Sequence, residues 1–386
     1  MPASLAAPAE PSLAPRVRPA ATWAAVYLGA AAVAFVSVMP MLVGVLAQDL
    51  GLGAERAGVL AATDRAGALA GTVVCVLALR RQSRRRIAAA GMLALTVGNA
   101  VTGFFTAWGP LLVCRFAVGF AQGTVSAICY AAMGGCPRPA RAFAFYCALQ
   151  MILGSLGAWI IPWLLEVGGW PAPFHALALL ALPGIGVAAL IPGSLPKRSP
   201  ERGGAKAPNS SRAWIALASI FVFFVGAGGL YAFLERIGDA AGLTRAVIAR
   251  SLSMASLAGL AGSLLAGGVA HRWGAGRGAA LGGALSLAAM AAFLLPANGV
   301  LFPVAAAGFN FSWNLLYPFQ FAGLAQADRR GSATAFTPAA TGSGFALGPA
   351  LAAVLFEHHG SGAVSMVALG LGMMSLALLF GAARSK

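Results

Sequence analysis

Residues 213–234 read AWIALASIFVFFVGAGGLYAFL, twenty-two positions without a single charge. Coiled at 1.5 Å per residue they make a helix of about 33 Å, long enough to cross a hydrocarbon layer of about 30 Å. The whole chain follows this stretch. Of its 386 residues 59% are hydrophobic and only 9% charged, against about 25% charged in a soluble domain. A soluble fold this apolar could not cover its own surface, so lipid is the expected solvent. The 50 glycines fit the same reading, because small residues let helix backbones approach where no hydrophobic force draws them together.

Twelve spans are expected, over residues 22–47, 55–79, 87–107, 109–135, 142–166, 172–194, 213–236, 245–270, 278–297, 299–325, 333–356 and 362–383. The fold class is thus an all-α membrane protein of twelve transmembrane helices in two pseudo-symmetric six-helix bundles. Residues 1–21, rich in Ala and Pro, read as a disordered cytoplasmic tail. An N-terminal bundle over 22–194 and a C-terminal bundle over 213–386 are joined by a polar linker at 195–212. Twenty of the 26 Lys and Arg fall in loops and tails that share one side when both termini are cytoplasmic, as the positive-inside rule requires. Position therefore accounts for the net charge of +16 better than nucleic acid does. The halves also look repeated. At an offset of 191 residues Arg81 meets Arg272, Arg138 meets Arg329, and Gly157 meets Gly348. Repeated halves around a midplane site suit a carrier.

Ionisable groups deep in a span are costly and usually face a cavity or a partner. Asp64 and Arg65 lie about 14 Å inside the second span. Burial disfavours a charged carboxylate and a nearby cation favours it. Asp64 is therefore the expected proton acceptor, with Arg65 beside it, although neighbouring residues point about 100° apart on a helix. Arg115 in the fourth span can pair with Asp64, hold an anion, or expel a proton. Gln122, Ser126 and Tyr130 share its face. In the tenth span Asn310, Asn314 and Tyr317 form a polar stripe, with Trp313 and Gln320 close by, and are expected to line a wet cavity. Tyr231 and Glu235, four apart in the seventh span, suggest a cavity contact and an outer gate, with Arg236 next in sequence.

Other classes have little support. The five cysteines show no ligand spacing and read as packing residues. Glu357, His358 and His359 sit side by side, and adjacent histidines on an outer loop rarely close a metal site, so neither metal nor cofactor is expected. Gly154-Ser155 and Gly342-Ser343-Gly344 superficially resemble serine elbows, but no His is placed to activate them. The chain is not expected to be an enzyme.

Several motifs resemble the major facilitator superfamily. RFAVGFAQG (115–123) is similar to its motif B, with Arg115, Gly119 and Gly123. GGVAHRWGAGR (267–277) is similar to motif A, with Gly267, Arg272, Gly274 and Arg277, and with His271 in place of the usual Asp. RRQSRRR (80–86) keeps only the basic part of that motif. Gly344, Gly348 and Pro349 form a G-x-x-x-G-P pattern, whereas Gly154, Gly157 and Ala158 depart from the antiporter motif C. The resemblance implies a cavity lined by spans 1, 4, 7 and 10, alternating access by rocking halves, and a cytoplasmic gate at His271, Arg272, Gly274 and Arg277. The expected function is proton-coupled secondary transport of a small organic solute, an organic anion before others, across a bacterial inner membrane by a monomer. The alternative is proton-driven efflux of apolar or drug-like compounds. Expected partners are the solute, protons and the lipid bilayer, and no nucleic acid.

Overall fold

The computed structural model describes residues 19–39, 42, 53–77, 82–193, 211–296, 298–328 and 330–384. The described residues form helices: α1 (Pro19–Met39), α2 (Gly53–Leu77), α3 (Arg84–Thr102), α4 (Trp108–Gly134), α5 (Pro139–Gly168), α6 (Ala172–Val187), α7 (Ser211–Ala240), α8 (Arg245–Ala292), α9 (Leu301–Ala327), the single turn α10 (Ser332–Ala335) and α11 (Thr337–Arg384). Among them eight are long and apolar enough to cross a membrane. Helices α1 to α7 match the first seven expected spans and α9 the tenth. Boundaries differ by a few residues: α1 begins at Pro19, inside the expected tail, α7 begins at Ser211, inside the expected linker, and α3 and α6 end at Thr102 and Val187, short of the expected 107 and 194. Residues 1–18, 43–52 and 194–210 lie outside the described residues.

Helices α8 and α11 each run 48 residues, about 72 Å if straight, more than twice the hydrocarbon thickness. Neither is straight. Each breaks at a glycine with positive φ, Gly274 at 66° and Gly360 at 76°, a conformation that costs a side chain with a Cβ. The breaks fall where the eighth span was expected to hand over to the ninth and the eleventh to the twelfth. Counting each long helix as two segments recovers the twelve-span layout.

Burial is inverted relative to a water-soluble protein. Trp159 is 87% exposed and Phe104 75%, while Asp64 and Arg115 are at 0%. Apolar side chains face out, where lipid would be, and polar groups are hidden between helices.

The repeat extends into the packing. A Cβ on Gly71 of α2 would stand 2.0 Å from the carbonyl oxygen of Phe120 on α4, and one on Gly262 of α8 would stand 2.2 Å from that of Phe311 on α9. Adding 191 to the first pair gives the second. The same shift carries Val38 against Gly157 (α1 on α5) onto Gly229 against Gly348 (α7 on α11). It also carries Leu28 against Gly184 onto Ser219 against Ser375. The two halves are one packing scheme used twice.

The halves meet at the end that carries the arginine-rich loops. Tyr130 of α4 and Phe143 of α5 lie 5.6 and 5.2 Å from Phe321 of α9, centroid to centroid. Tyr130 and Phe321 are themselves 191 apart, so equivalent residues touch across the interface. Beyond them, α10 lies against the end of α4, where a Cβ on Gly134 would be 2.7 Å from the Thr334 methyl.

Candidate functional site

The site begins with two glycines. A Cβ on Gly119 would fall 2.0 Å from the carbonyl oxygen of Asp64, and one on Gly123 would fall 1.8 Å from that of Ala68. Only bare backbone allows α4 to lie this close on α2. Arg115, one turn before Gly119, then faces the Asp64 side chain. Its Nη2 pairs with Asp64 Oδ1, and its Nη1 donates to Asn99 Oδ1 of α3 at 3.0 Å. The guanidinium lies 3.9 Å above the Phe35 ring of α1 and 5.8 Å from that of Phe174 of α6. Five helices thus close around one ion pair. Removing two charges from water costs several kcal/mol each, which only close pairing and extra hydrogen bonds offset. Asn99 and the aromatic faces supply that help.

Arg65 joins the same cluster. Its long side chain curls back so that Nη2 pairs with Asp64 Oδ2 and donates to Gln122 Oε1 at 2.9 Å. The angle between adjacent helix positions is overcome by reach. Arg115 is fully buried, but the Arg65 side chain is 20% exposed. One carboxylate therefore sits between two guanidinium groups, with one net positive charge, and only one of the two cations is partly exposed.

The tenth-span stripe needs correction. Asn310 and Asn314 face α8 rather than a wet cavity. A Cβ on Gly259 would lie 2.9 Å from Asn314 Nδ2 and 3.7 Å from Asn310 Cβ. Asn314 Nδ2 donates to the Asn310 carbonyl at 2.9 Å, and Ser263 Oγ donates to Asn314 Oδ1 at 3.4 Å. The repeat explains this: 191 residues back stand Gly119 and Gly123, the packing line of α4. The line of α4 that carries Gln122, Ser126 and Tyr130 has Trp313, Tyr317 and Phe321 as its counterparts on α9, all of them buried. Trp313 packs on Phe345 and Tyr231 at 5.3 and 5.8 Å, and Tyr317 on Phe321 and Phe224 at 5.3 and 6.0 Å. Gln320 turns to α11, donating to Ser375 Oγ at 3.4 Å. Ser126 Oγ and Trp313 Nε1 are buried with no partner among the described residues.

The remaining expected residues stand apart. Glu235 is exposed near the end of α7, makes no ion pair among the described residues, and Arg236 lies over Phe233 instead. His271 places Nδ1 3.0 Å from the Gly268 carbonyl oxygen. Arg272 and Arg277 are exposed, with no ion pair among the described residues, and Gly274 is the break in α8. At this end a different acid orders the chain. Buried Asp328 accepts from the backbone N–H of Arg330, Gly331 and Thr334 at 3.2, 2.9 and 2.7 Å. That turn presents α10 to α4. Among the described residues no group of His, Cys, Asp and Glu could hold a metal.

Four contributors were not anticipated: Asn99, Phe35, Phe174 and Asp328. Asn99 had a signal, a lone amide in the otherwise apolar third span. Asp328 had another, an acid directly before Arg329-Arg330-Gly331. The two phenylalanines had none, since nothing local separates them from lipid-facing ones.

No curated protein matches the chain at a significant level. Solved structures do. A human protein described as the organic anion transporter MFSD10 (TETRAN) superposes with a TM-score of 0.72 at 18% identity, covering 94% of this chain and 100% of that one. The proton:xylose symporter XylE gives 0.70 at 14%, covering 94% of each. The Escherichia coli fucose:proton symporter FucP gives 0.72 at 13%, covering 95% and 99%. At these identities the likeness concerns the fold. The sequence profile of the Major Facilitator Superfamily matches residues 24–325, a stretch that holds the Gly119 and Gly123 contact, the buried ion cluster and most of both repeats. With that match the chain belongs to the Major Facilitator Superfamily, and it is a multi-pass membrane protein and secondary transporter.

Proposed function

We propose that this transporter moves a small organic anion together with protons across a bacterial inner membrane, as a monomer with both termini in the cytoplasm. The observation that carries the reading is Asp64, enclosed between Arg115 and Arg65 in a wall otherwise free of acids. Protonating Asp64 removes the counter-charge from both guanidinium groups at once. A proton can drive transport only if it binds one conformation better than another. A carboxylate shared by α2 and α4, with α1, α3 and α6 closed around its partner, is sensitive to any movement of those helices. The orientation rests on the arginine-rich loops. The fold likeness to a protein described as an organic anion transporter and to two proton symporters is in keeping with this reading.

The second reading is proton-driven efflux of apolar or drug-like compounds, favoured by the aromatic group of Tyr231, Trp313, Tyr317, Phe224 and Phe345. Proteoliposomes separate the two. Under an inward proton gradient the wild-type protein is expected to accumulate radiolabelled organic acids and not hydrophobic cations, and Asp64→Asn to abolish that accumulation. Gradient-driven flux that survives in Asp64→Asn removes Asp64 from the mechanism. Binding of hydrophobic cations alone favours efflux.

A further inference from the structure

The two arginines of the cluster are not equivalent, and their difference assigns the substrate contact. Arg115 cannot leave its place. It is fully buried, bonded to Asp64 and Asn99, and closed in by Phe35 and Phe174. Arg65 is held on one side only. Its Nη2 alone makes the bonds to Asp64 and Gln122, whereas Arg115 bonds through both Nη1 and Nη2, and the Arg65 side chain is one-fifth exposed. The cluster also carries an unbalanced positive charge. Protonating Asp64 raises that charge to two and leaves Arg65 without its carboxylate, which is costly, so the protonated site favours the arrival of one negative charge.

We propose that Arg65 is the docking residue for the carboxylate of the transported solute, and that solute and Asp64 compete for it. The idea rests on the anion reading above and names its contact. With Asp64 ionised, Arg65 is occupied. A proton from solution forms an O–H bond on Asp64, the Arg65 pair is released, and a carboxylate takes its place. The guanidinium fork offers two parallel N–H donors of matching geometry, and Gln122 steers the plane. One proton and one monoanion enter together, so the site keeps one net positive charge before and after. Uptake is then electroneutral.

The charged groups facing Asp64 are few. Helix α4 brings Arg115, and α2 itself brings Arg65. Arg56, two turns away on α2, lies 5.8 Å over the Trp108 ring. Helix α11, which also packs on α2, carries Glu357, His358 and His359 exposed beside its break at Gly360. Cys114 of α4 turns to the Gly98 carbonyl of α3. The competition is therefore between Asp64 and the incoming anion.

The test uses the full-length protein in detergent and in proteoliposomes, with radiolabelled benzoate, lactate and succinate as probes. Binding of at least one probe is expected to tighten as pH falls. Arg65→Gln should weaken it about 30-fold or more, the cost of losing one partner of a buried charge pair, and Arg65→Lys should weaken it less. Asp64→Asn should bind at high pH as tightly as the wild type does at low pH. Phenylglyoxal labelling, mapped by peptide mass, should be slowed at Arg65 by the bound probe but not at Arg56, and should be faster at Arg65 in Asp64→Asn. Clamping the membrane potential should leave benzoate uptake unchanged. If Arg65→Gln and Arg65→Lys both fold and bind as the wild type does, the inference falls while the anion reading stands. If none of the three anions binds the wild-type protein, both fall.

Discussion

The N-terminal and C-terminal bundles share one backbone scheme and differ in what they place on it. In the first, α4 lies on α2 through Gly119 and Gly123, and Asp64 and Arg115 form an ion pair. In the second, the equivalent contact of α9 on α8 has Asn310 and Asn314 at those glycine positions, and Ala255 and Ala306 stand where the acid and the base would be. The backbones still approach, because Gly262 keeps the contact that Gly71 makes in the first half, and Gly259 stands on α8 opposite the two asparagines where the first half has Ala68. Close packing needs a small residue on one side of a contact, not on a particular side. That freedom lets a duplicated half keep its shape and change its chemistry. The first half holds charge, and the second presents aromatic rings.

The comparison breaks most sharply at Arg115. Arg115→Met removes the buried partner of Asp64 and should cost about 3–5 kcal/mol, whereas Ala306→Gly at the matching place in α9 should cost about 1 kcal/mol. Thermal unfolding in detergent reads both, and equal losses would mean that the ion cluster is not the special feature of the first half. The glycine contacts come next. Gly123→Val puts a side chain where the Ala68 carbonyl oxygen stands and should cost about 3 kcal/mol, measured the same way. Asn314→Gly, which restores the first half's residue in the second, loses one interhelical hydrogen bond at about 0.6 kcal/mol, the bond to Asn310 within α9, and a few tenths of a kcal/mol in helix propensity.

A smaller difference separates two matched glycines. A Cβ on Gly348 meets the Val225 carbonyl oxygen at 2.3 Å, whereas one on Gly157 meets the Val38 side chain at 2.1 Å. Backbone cannot yield as a side chain can. Gly348→Ala should lower stability by about 2 kcal/mol and Gly157→Ala by about 1 kcal/mol, and the reverse order would show that α7 and α11 part more easily than α1 and α5. An effect as small is expected at Ser375, whose Oγ donates to the Ser219 carbonyl at 2.8 Å while Ser219 Oγ donates to its own at 2.9 Å. The first half packs Leu28 on Gly184 at this place. Ser375→Ala removes the bond to the Ser219 carbonyl and the one donated by Gln320, and should lower the unfolding midpoint slightly, at about 0.6 kcal/mol in stability for each bond.

Much of this was legible beforehand. Uncharged runs and the placement of basic residues give the spans and their alternation, since desolvating charge in lipid is costly wherever it happens. Asp64 and Arg115 stood out for the same reason. The asparagines of the tenth span were not legible in this way, because a polar residue in a span announces only that it avoids lipid. Asn314 avoids it by facing Ser263 and Gly259, and Trp313 by facing other rings. His271, Arg272 and Arg277 matched a motif, yet they are exposed, and buried Asp328 orders the turn nearby.

Hydrophobicity is a sum over neighbours in sequence, so the chain by itself determined that it crosses a bilayer many times, in two matched halves, with few charges inside. Which of those charges meet is not a local property. Asp64 finds Arg115 across 51 positions, and Arg65 finds Gln122 across 57, only because Gly119 and Gly123 bring two backbones into contact at one rotation and one height. Tertiary structure alone decided that Arg115 is sealed, that Arg65 is reachable, and that the asparagines of α9 serve packing, because each depends on which faces of neighbouring helices are turned together.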